Sequence, residues 1–120
     1  MNDNDIIKPH VGKTIRDITW DKEHLTIELD DGAKVIGWAL GDCCAVTNIV
    51  EVAGWDDWMK GRATLAGVER HDFGSYQAQR SDQTDVFATI IKTKNVGDII
   101  ALCTCEHNGY YSGWLGFSTA

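Results

Sequence analysis

The strictest alternation of apolar and polar residues in the chain covers residues 24–30. Every second residue there is apolar, which is the pattern of a β-strand with one buried face; these residues are Leu25, Ile27 and Leu29. Asp31-Gly32 follows directly, and this dipeptide favours the positive backbone angles of a tight hairpin turn. Residues 33–40 form the returning segment, so the pattern predicts a β-hairpin over residues 24–40.

The rest of the chain has shorter apolar runs separated by turn residues. They predict strands over residues 11–19, 62–72, 85–94, 98–106 and 110–117. Residues 45–52 could be a strand or a short helix, and their β-branched residues favour the strand. Residues 54–61 suit one or two helical turns, and the polar residues 73–84 suit an exposed loop. Asn108-Gly109 predicts a second hairpin, between the last two strands.

These elements predict an α+β fold, which is a mainly antiparallel β-sheet with one or two short helices packed on one face. The 120 residues suit a single domain. Residues 1–10 are polar and acidic at their start, and we expect them to be a flexible lead-in. Residues 11–120 are expected to form one β-rich domain.

The charge balance narrows the range of partners. The formal net charge is −7, and an acidic surface repels a polyphosphate, so neither DNA nor long RNA is an expected partner. A small anion could still be held by a local group of the four arginines. No apolar run approaches the roughly 20 residues that cross a bilayer, and the polar start lacks a secretory signal. We therefore expect a cytoplasmic protein without a membrane partner.

The four cysteines occur as Cys43-Cys44 and as Cys103-Thr104-Cys105. Neither spacing is typical of a zinc site or of a disulfide framework, so we expect free thiols, no bound metal and no cofactor. Alternation along a strand suggests that one thiol of each pair lies in the core and the other faces outward.

Catalysis by a nucleophile would need that group, a base and an orienting residue close together. The chain offers Cys43-Cys44 with His71 or His107, and it offers Ser75 with His71 and Asp72. The spacing supports neither combination, so we expect a binding protein and not an enzyme.

Aromatic residues are the other notable feature. Tryptophan is most often found in cores and interfaces, so five of them in a short chain indicate an additional buried surface. Tyr110 and Tyr111 lie beside Asn108 and near Trp114. Aromatic faces stack on nucleobases, and an Asn amide can hydrogen-bond to their edges.

Four short segments carry a family resemblance. They are Gly12-Lys13-Thr14-Ile15, Leu29-Asp30-Asp31-Gly32, Gly41-Asp42-Cys43-Cys44 and Asn108-Gly109-Tyr110-Tyr111-Ser112. In this order they resemble a group of small phage and bacterial domains of unknown function, and also the first family of Thoeris anti-defence proteins. Proteins of that second family are oligomers that bind cyclic ADP-ribose signals, and some also hold cyclic oligonucleotides, which they sequester without cutting.

The resemblance implies a homo-oligomer, a dimer or higher, that sequesters a small cyclic nucleotide. Such a site needs charged donors for phosphate, an aromatic face for adenine and polar groups for ribose. The candidates are chosen for this chemistry and are not transferred from the family: Arg62, Arg70 and Arg80 for charge, Phe73, Tyr76, Tyr110 and Tyr111 for stacking, and Asn108 for hydrogen bonds.

The positions of the arginines separate this hypothesis from its rivals. If Arg62, Arg70 and Arg80 lie together beside Tyr110, the ligand hypothesis gains support, and if they are scattered it loses support. An arginine contributed by a neighbouring subunit would also serve. The alternatives are a non-catalytic module that binds a protein partner and an enzyme of an unrecognised kind.

Overall fold

The computed structural model describes residues 3–42, 45–77, 83–107 and 112–119. Within these ranges the chain forms one short α-helix, α1 (Asp3–Ile7), two single turns of 3₁₀-helix (Lys8–His10 and Asp57–Met59) and eight strands. The strands are β1 (Ile15–Trp20), β2 (His24–Leu29), β3 (Lys34–Gly41), β4 (Val46–Ala53), β5 (Leu65–Gln77), β6 (Gln83–Thr93), β7 (Ile99–His107) and β8 (Gly113–Thr119).

The strands form two four-stranded sheets whose hydrogen-bonded pairs are antiparallel. Sheet 1 has the order β1-β2-β3-β8, and sheet 2 has the order β4-β7-β6-β5. Side chains from the inner faces of both sheets form one apolar core. Its largest fully buried members include Phe87, Leu25, Ile27, Leu29, Ile49, Leu65, Ile91 and Ile99. The predicted hairpin over residues 24–40 is confirmed, because β2 pairs with β3 and Gly32 has a φ of +87°.

Two strand pairs carry the chain from one sheet to the other. The pairing of β3 with β8 ends at Gly41 and Gly113 in sheet 1. The pairing of β4 with β7 begins at Val46 and Glu106 in sheet 2. The described residues between these pairs lie at the corner where the sheets meet: Asp42, Ala45, His107 and Ser112. We call β3–β4 with β7–β8 the crossing ribbon.

The two sheets also meet on the side where β1 and β5 begin. The Ile15 amide donates to the Ala63 carbonyl at 2.8 Å, and the Gly12 amide donates to the Leu65 carbonyl at 2.9 Å. These main-chain bonds cover the backbone of the edge strand β1 over its first residues, which would otherwise be open to pairing with another chain.

The expected flexible lead-in differs from what the structure shows for residues 3–10. This segment forms α1 and a 3₁₀ turn, and Ile7 is only 1% exposed. Helix α1 packs against β8 and β5. The polar start of the chain hides this outcome, because Ile7 and its partly buried neighbour Ile6 are enough to anchor one helical turn in the core.

The fold class is mainly antiparallel β, as predicted, but it is not α+β. Its strands form two sheets, and in the described residues α1 is the single α-helix, so there is no layer of helices on a sheet face. None of the helices in the described part of the chain is long and apolar enough to cross a membrane.

Two local predictions are wrong. Residues 73–84 are not an exposed loop throughout, because β5 continues to Gln77 and β6 begins at Gln83. Residues 73–75 are polar or exposed because they lie on the edge strand β5. The second hairpin also fails, because in the described strands β7 pairs with β4 and β6, whereas β8 pairs with β3 in the other sheet.

Candidate functional site

Ionisable and polar side chains lie together at the corner of the crossing ribbon, beyond the end of the apolar core. The inner-face residues of β5, β6 and β7 become polar toward this corner, where the apolar filling of the sandwich ends. We call this region the polar end and define it by Asp42, Arg70, Asp72, Asp85, His107 and Ser112.

Arg70 connects the two sheets at the polar end. It lies on β5 in sheet 2, and its Nη1 donates to the Gly113 carbonyl of β8 in sheet 1 at 2.7 Å. Its Nε donates to Asp72 Oδ1 at 3.0 Å, and its Nη2 lies 2.9 Å from the same oxygen. The guanidinium carbon also lies 4.0 Å from the centre of the Phe87 ring, a cation–π contact. These contacts fix the orientation of a guanidinium whose side chain remains 39% exposed.

A second polar group centres on Asp85. His107 Nε2 lies 2.7 Å from Asp85 Oδ2, with the histidine side chain 3% exposed and the aspartate 24% exposed. The Ser75 hydroxyl donates to the other carboxylate oxygen. Burial alone raises the pKa of Asp85, but the hydrogen bonds from Ser75 and His107 outweigh it and hold that pKa below its ordinary value. The carboxylate is therefore stabilised in its charged form.

This arrangement differs from the catalytic combination of Ser75 with His71 and Asp72. The hydroxyl of Ser75 and the ring of His107 both bond to Asp85. His71 is paired with Ala88, whereas Arg70 and Asp72 next to it contact each other on the inner face. Because neighbours on a strand face opposite ways, His71 points away from the polar end. That the chain is not an enzyme stays a prediction.

A close approach of backbones underlies the corner. Gly113 has its Cα beside Thr47 Oγ1 and Cys105, so an added Cβ would overlap the hydroxyl and lie 2.8 Å from Cys105 Sγ. Thr47 Oγ1 is buried and has no hydrogen-bond partner among the described residues. Glycine at 113 is therefore required by packing, since any side chain would push β8 away from β4 and β7.

The cysteine prediction is partly wrong. Cys103 and Cys105 are free thiols, but both are fully buried on the inner face of β7. Residues two apart on a strand share a face, so one of this pair cannot face out while the other is in the core. Cys43 and Cys44 lie outside the described residues. Within the described part of the chain, no group of histidine, cysteine and acidic residues is arranged to hold a metal ion.

The predicted site residues share strands but not a site: the Phe73 ring packs on His71, which faces away from the polar end that Arg70 occupies. Arg70, Phe73 and Tyr76 lie on β5, and Phe73 is the extra residue of a bulge between Asp72 and Gly74. The Phe73 ring is 51% exposed and packs edge-on against His71 at 4.8 Å.

Arg62 is remote from this group. It precedes β5, and its carbonyl accepts a hydrogen bond from Asn95 at 2.7 Å. The five steps from Leu65 to Arg70 alone span about 16 Å at the rise of a strand. Arg62 and Arg70 therefore do not converge within one chain.

The other half of the predicted site lies outside the described residues: Arg80, Asn108, Tyr110 and Tyr111. The residues that flank these positions are at the polar end. Gln77 pairs with Gln83, and Gln83 pairs with His107. The Ser112 amide donates to Asp42 Oδ2 at 3.0 Å.

Sequence reasoning missed Asp85, and it considered His107 and Asp72 only as partners of Cys43-Cys44 and Ser75 in catalysis. The available signal was alternation: Asp85 shares a face with Phe87, and His107 shares a face with Cys105, so each is an ionisable residue at the end of a buried row. Asp85 was assigned to a strand and not considered as part of a site.

The fold and the polar end define a small antiparallel β-protein of two packed sheets with a polar corner between them. The chain belongs to the family described as a domain of unknown function (DUF7448), whose model matches residues 8–116. No curated protein and no solved structure matches the chain significantly.

Proposed function

We propose that this protein is a non-catalytic binder that sequesters a small cyclic nucleotide at the polar end. The observation that carries the proposal is Arg70, an oriented and partly exposed guanidinium at that end. The ligand class rests on the resemblance to the anti-defence family and on the stacking residues of the sequence.

Arg70 has the geometry to accept one further anion. A guanidinium has five N–H donors, and in the described part of the chain three of those of Arg70 point to Asp72 and to the Gly113 carbonyl. A second N–H on each terminal nitrogen is thus left to donate to a phosphate oxygen. Because Asp72 and Gly113 already fix the side chain, little conformational entropy is lost when a ligand binds.

The same region carries the carboxylates of Asp42, Asp72 and Asp85. The Arg70 guanidinium offsets the charge of Asp72, and the Asp85 carboxylate is hydrogen-bonded to His107 and Ser75. The proposal therefore requires a ligand with few phosphates and much apolar or aromatic surface, which suits a cyclic nucleotide better than a nucleoside triphosphate.

The test is calorimetry with cyclic ADP-ribose isomers and cyclic oligonucleotides, after a thermal-shift screen. A ligand at 100 times its dissociation constant adds about 2.7 kcal/mol to the stability of the folded protein. Arg70→Lys keeps the positive charge but removes the paired N–H donors of the guanidinium. It should weaken binding about tenfold or more. Ligand released by denaturing the complex should be chemically intact.

Arg16→Ala is the matched control. Arg16 is also a partly paired surface arginine, bound to Glu28 at 3.2 Å and to the Asp30 carbonyl, but it lies on β1. Its loss should leave affinity unchanged. Arg62→Ala separates a site within one chain from a site shared between subunits, because Arg62 can reach the polar end only from another copy. Failure of the wild type to bind any of these nucleotides would reject the proposal.

A specific surface favours the alternative function, a module that binds a protein partner. Trp38, Leu40 and Trp114 are 42%, 43% and 37% exposed. They lie together on the outer face of sheet 1, where Leu40 is opposite Trp114 and Trp38 is opposite Gly116. Exposed apolar groups of this kind mark interaction surfaces. This alternative would be favoured if the wild type binds no nucleotide and if Trp38→Ala abolishes binding to a protein partner.

A further inference from the structure

The outer face of sheet 2 is apolar at its centre, and among the described residues no helix or strand forms a layer over it. On β6 the inner residues Phe87, Thr89 and Ile91 are buried, yet the outward residues of that strand are also apolar: Val86 and Ile90, which are half-buried, and the small Ala88, which is buried between its neighbours. Strands that are apolar on both faces are typical of sheets covered on both sides. The core covers one side of sheet 2, so the sequence of β6 indicates a second covering layer.

The neighbouring strands extend this apolar face. On β7 the outward residues include Ile100, which is 39% exposed, and the half-buried Leu102. On β4, Val46 is 56% exposed and Val50 is 47% exposed. The interior of the face contains no charged residue, and its charges lie at the rim: Glu51, Glu69, Lys92 and Glu106. An uncharged centre with a polar rim is the usual anatomy of a protein interface.

We propose that the outer face of sheet 2 binds the same face of a second copy of this chain, as a two-fold symmetric dimer. The residue rows of the face are self-complementary. One row runs straight across the four strands as His71, Ala88, Leu102 and Glu51, each opposite the next. A two-fold axis parallel to the strands, between β6 and β7, maps this row onto itself in reverse.

This axis places β7 of one copy over β6 of the partner, and β4 over the partner's β5. Leu102 lies over the partner's Ala88, so a large side chain meets a small one. Glu51 lies over the partner's His71, and symmetry creates that pair twice. In the next row, which contains Ile90 and Ile100, Ile100 lies over the partner's Ile90. An isologous interface requires this kind of match, because the same patch must fit itself.

The area is sufficient for a stable dimer. Four strands about 4.8 Å apart and nine residues at about 3.4 Å each give a face of roughly 600 Å² per copy. Two copies together bury about 1,200 Å², which is the lower limit for specific, stable interfaces. A second copy is therefore an adequate cover for this face.

The first test places a charge in the face and measures the oligomeric state by light scattering and by sedimentation equilibrium at physiological ionic strength. We expect the wild type to be a dimer at tens of micromolar and Ile100→Lys to be a folded monomer. Leu40→Lys is the matched control, because Leu40 is an outward aliphatic residue of similar exposure, 43% against 39%, on sheet 1. Circular dichroism and thermal unfolding confirm that the variants fold.

The second test exchanges the charges of the pair at the rim. His71→Glu puts a carboxylate against the partner's Glu51 twice per dimer and should weaken association roughly tenfold. Adding Glu51→Lys should restore it, because attraction replaces repulsion. If His71→Glu acted only by disturbing the fold of the single chain, Glu51→Lys would not restore dimerisation.

A wild type that is monomeric at these concentrations would overturn the proposal. So would a dimer that is lost on Leu40→Lys but kept on Ile100→Lys, which would move the interface to sheet 1. A dimer lost on Ile100→Lys but indifferent to the charge exchange would overturn the proposed axis. None of these results depends on nucleotide binding, which is measured separately.

Discussion

Cys103 shows how strongly one residue can be changed by its place in this fold. Its side chain is fully buried, and that burial raises the pKa of its thiol to about 12, against a smaller opposing effect of Arg70. The thiolate is the reactive form of cysteine, so almost none of the reactive form exists near neutral pH.

We therefore predict that Cys103 is not alkylated in the native protein at pH 8. Mass-spectrometric mapping after iodoacetamide treatment should find Cys103 unlabelled in buffer and labelled in denaturant, where titration should give four free thiols per chain. The denatured sample is the control for reagent and peptide recovery. Labelling of Cys103 in buffer at the denatured rate would contradict the prediction.

Asp85 makes the free energy of unfolding depend on pH in the acidic range. Hydrogen bonds hold its folded pKa below the ordinary value of 3.8. A carboxylate with a lowered folded pKa contributes stability above its unfolded pKa, and this contribution is lost as the pH falls through the folded pKa. Hydrogen bonds to a charged group are worth about 1.5–3 kcal/mol each.

Asp85→Asn should accordingly destabilise the protein by about 1–3 kcal/mol at pH 7, and by clearly less at pH 3. Urea unfolding at the two pH values measures both differences. Glu106→Gln, an exposed carboxylate one row away on β7, is the control and should show only a small difference at either pH. An equal cost of Asp85→Asn at both pH values would show that its charge is not involved.

At the scale of elements, the crossing ribbon depends on a close contact between β8 and the strands of sheet 2. Gly113→Ala should destabilise the protein by about 1–3 kcal/mol, since its Cβ overlaps Thr47 Oγ1 and overpacking of this size has that cost. Thr47→Ala removes the atom with the closest overlap but leaves the contact with Cys105, so in the double variant part of the cost of Gly113→Ala should disappear.

Chemical denaturation of the four proteins in this cycle gives the coupling between the two positions. Gly116→Ala is a useful comparison, because its added Cβ would meet the flexible end of the Leu40 side chain at 2.9 Å. If the costs of Gly113→Ala and Thr47→Ala simply add, the overlap is not the reason for glycine at position 113.

The elements that sequence could predict were those whose signal is local. β2 and β3 follow from alternation and from the Asp31-Gly32 turn, and both features act within a few residues. The start of β7 follows from its apolar residues in the same way. In contrast, α1 is fixed by the burial of Ile7 against distant strands, which no local pattern reports.

The arrangement of the strands and the polar end were beyond local patterns. Asn108-Gly109 favours a tight turn, but a turn dipeptide does not state whether the strands on either side pair with each other. Here they enter different sheets. The contact of Arg70 with Gly113 joins residues 43 positions apart, so only the assembled corner brings them together.

At the scale of the molecule, three surfaces differ in character. The polar end carries ionisable groups between the sheets, sheet 1 presents exposed tryptophan, and sheet 2 presents a face with an uncharged centre and a charged rim. Four of the five tryptophans are more than a third exposed: Trp20, Trp38, Trp58 and Trp114. The net charge of −7 keeps separate molecules apart except where such neutral surfaces meet.

The crossing ribbon has a consequence for the order in which the chain folds. Its two pairs enclose the β5–β6 pair in sequence. Gln77 and Gln83 are close together, Val46 and Glu106 enclose them, and Gly41 and Gly113 enclose both. Closing a long loop costs more entropy than closing a short one. The β5–β6 hairpin therefore shortens every later closure, and β8 is the last strand that can dock.

Refolding and unfolding kinetics should show this order. A substitution in the hairpin, Ile91→Val, should mainly slow folding, whereas Leu115→Ala on β8 should leave the folding rate almost unchanged and speed unfolding. Stopped-flow measurements across a denaturant series separate the two rates. The reverse assignment would mean that the outer pair forms first, and that the chain closes its longest loop before its shortest.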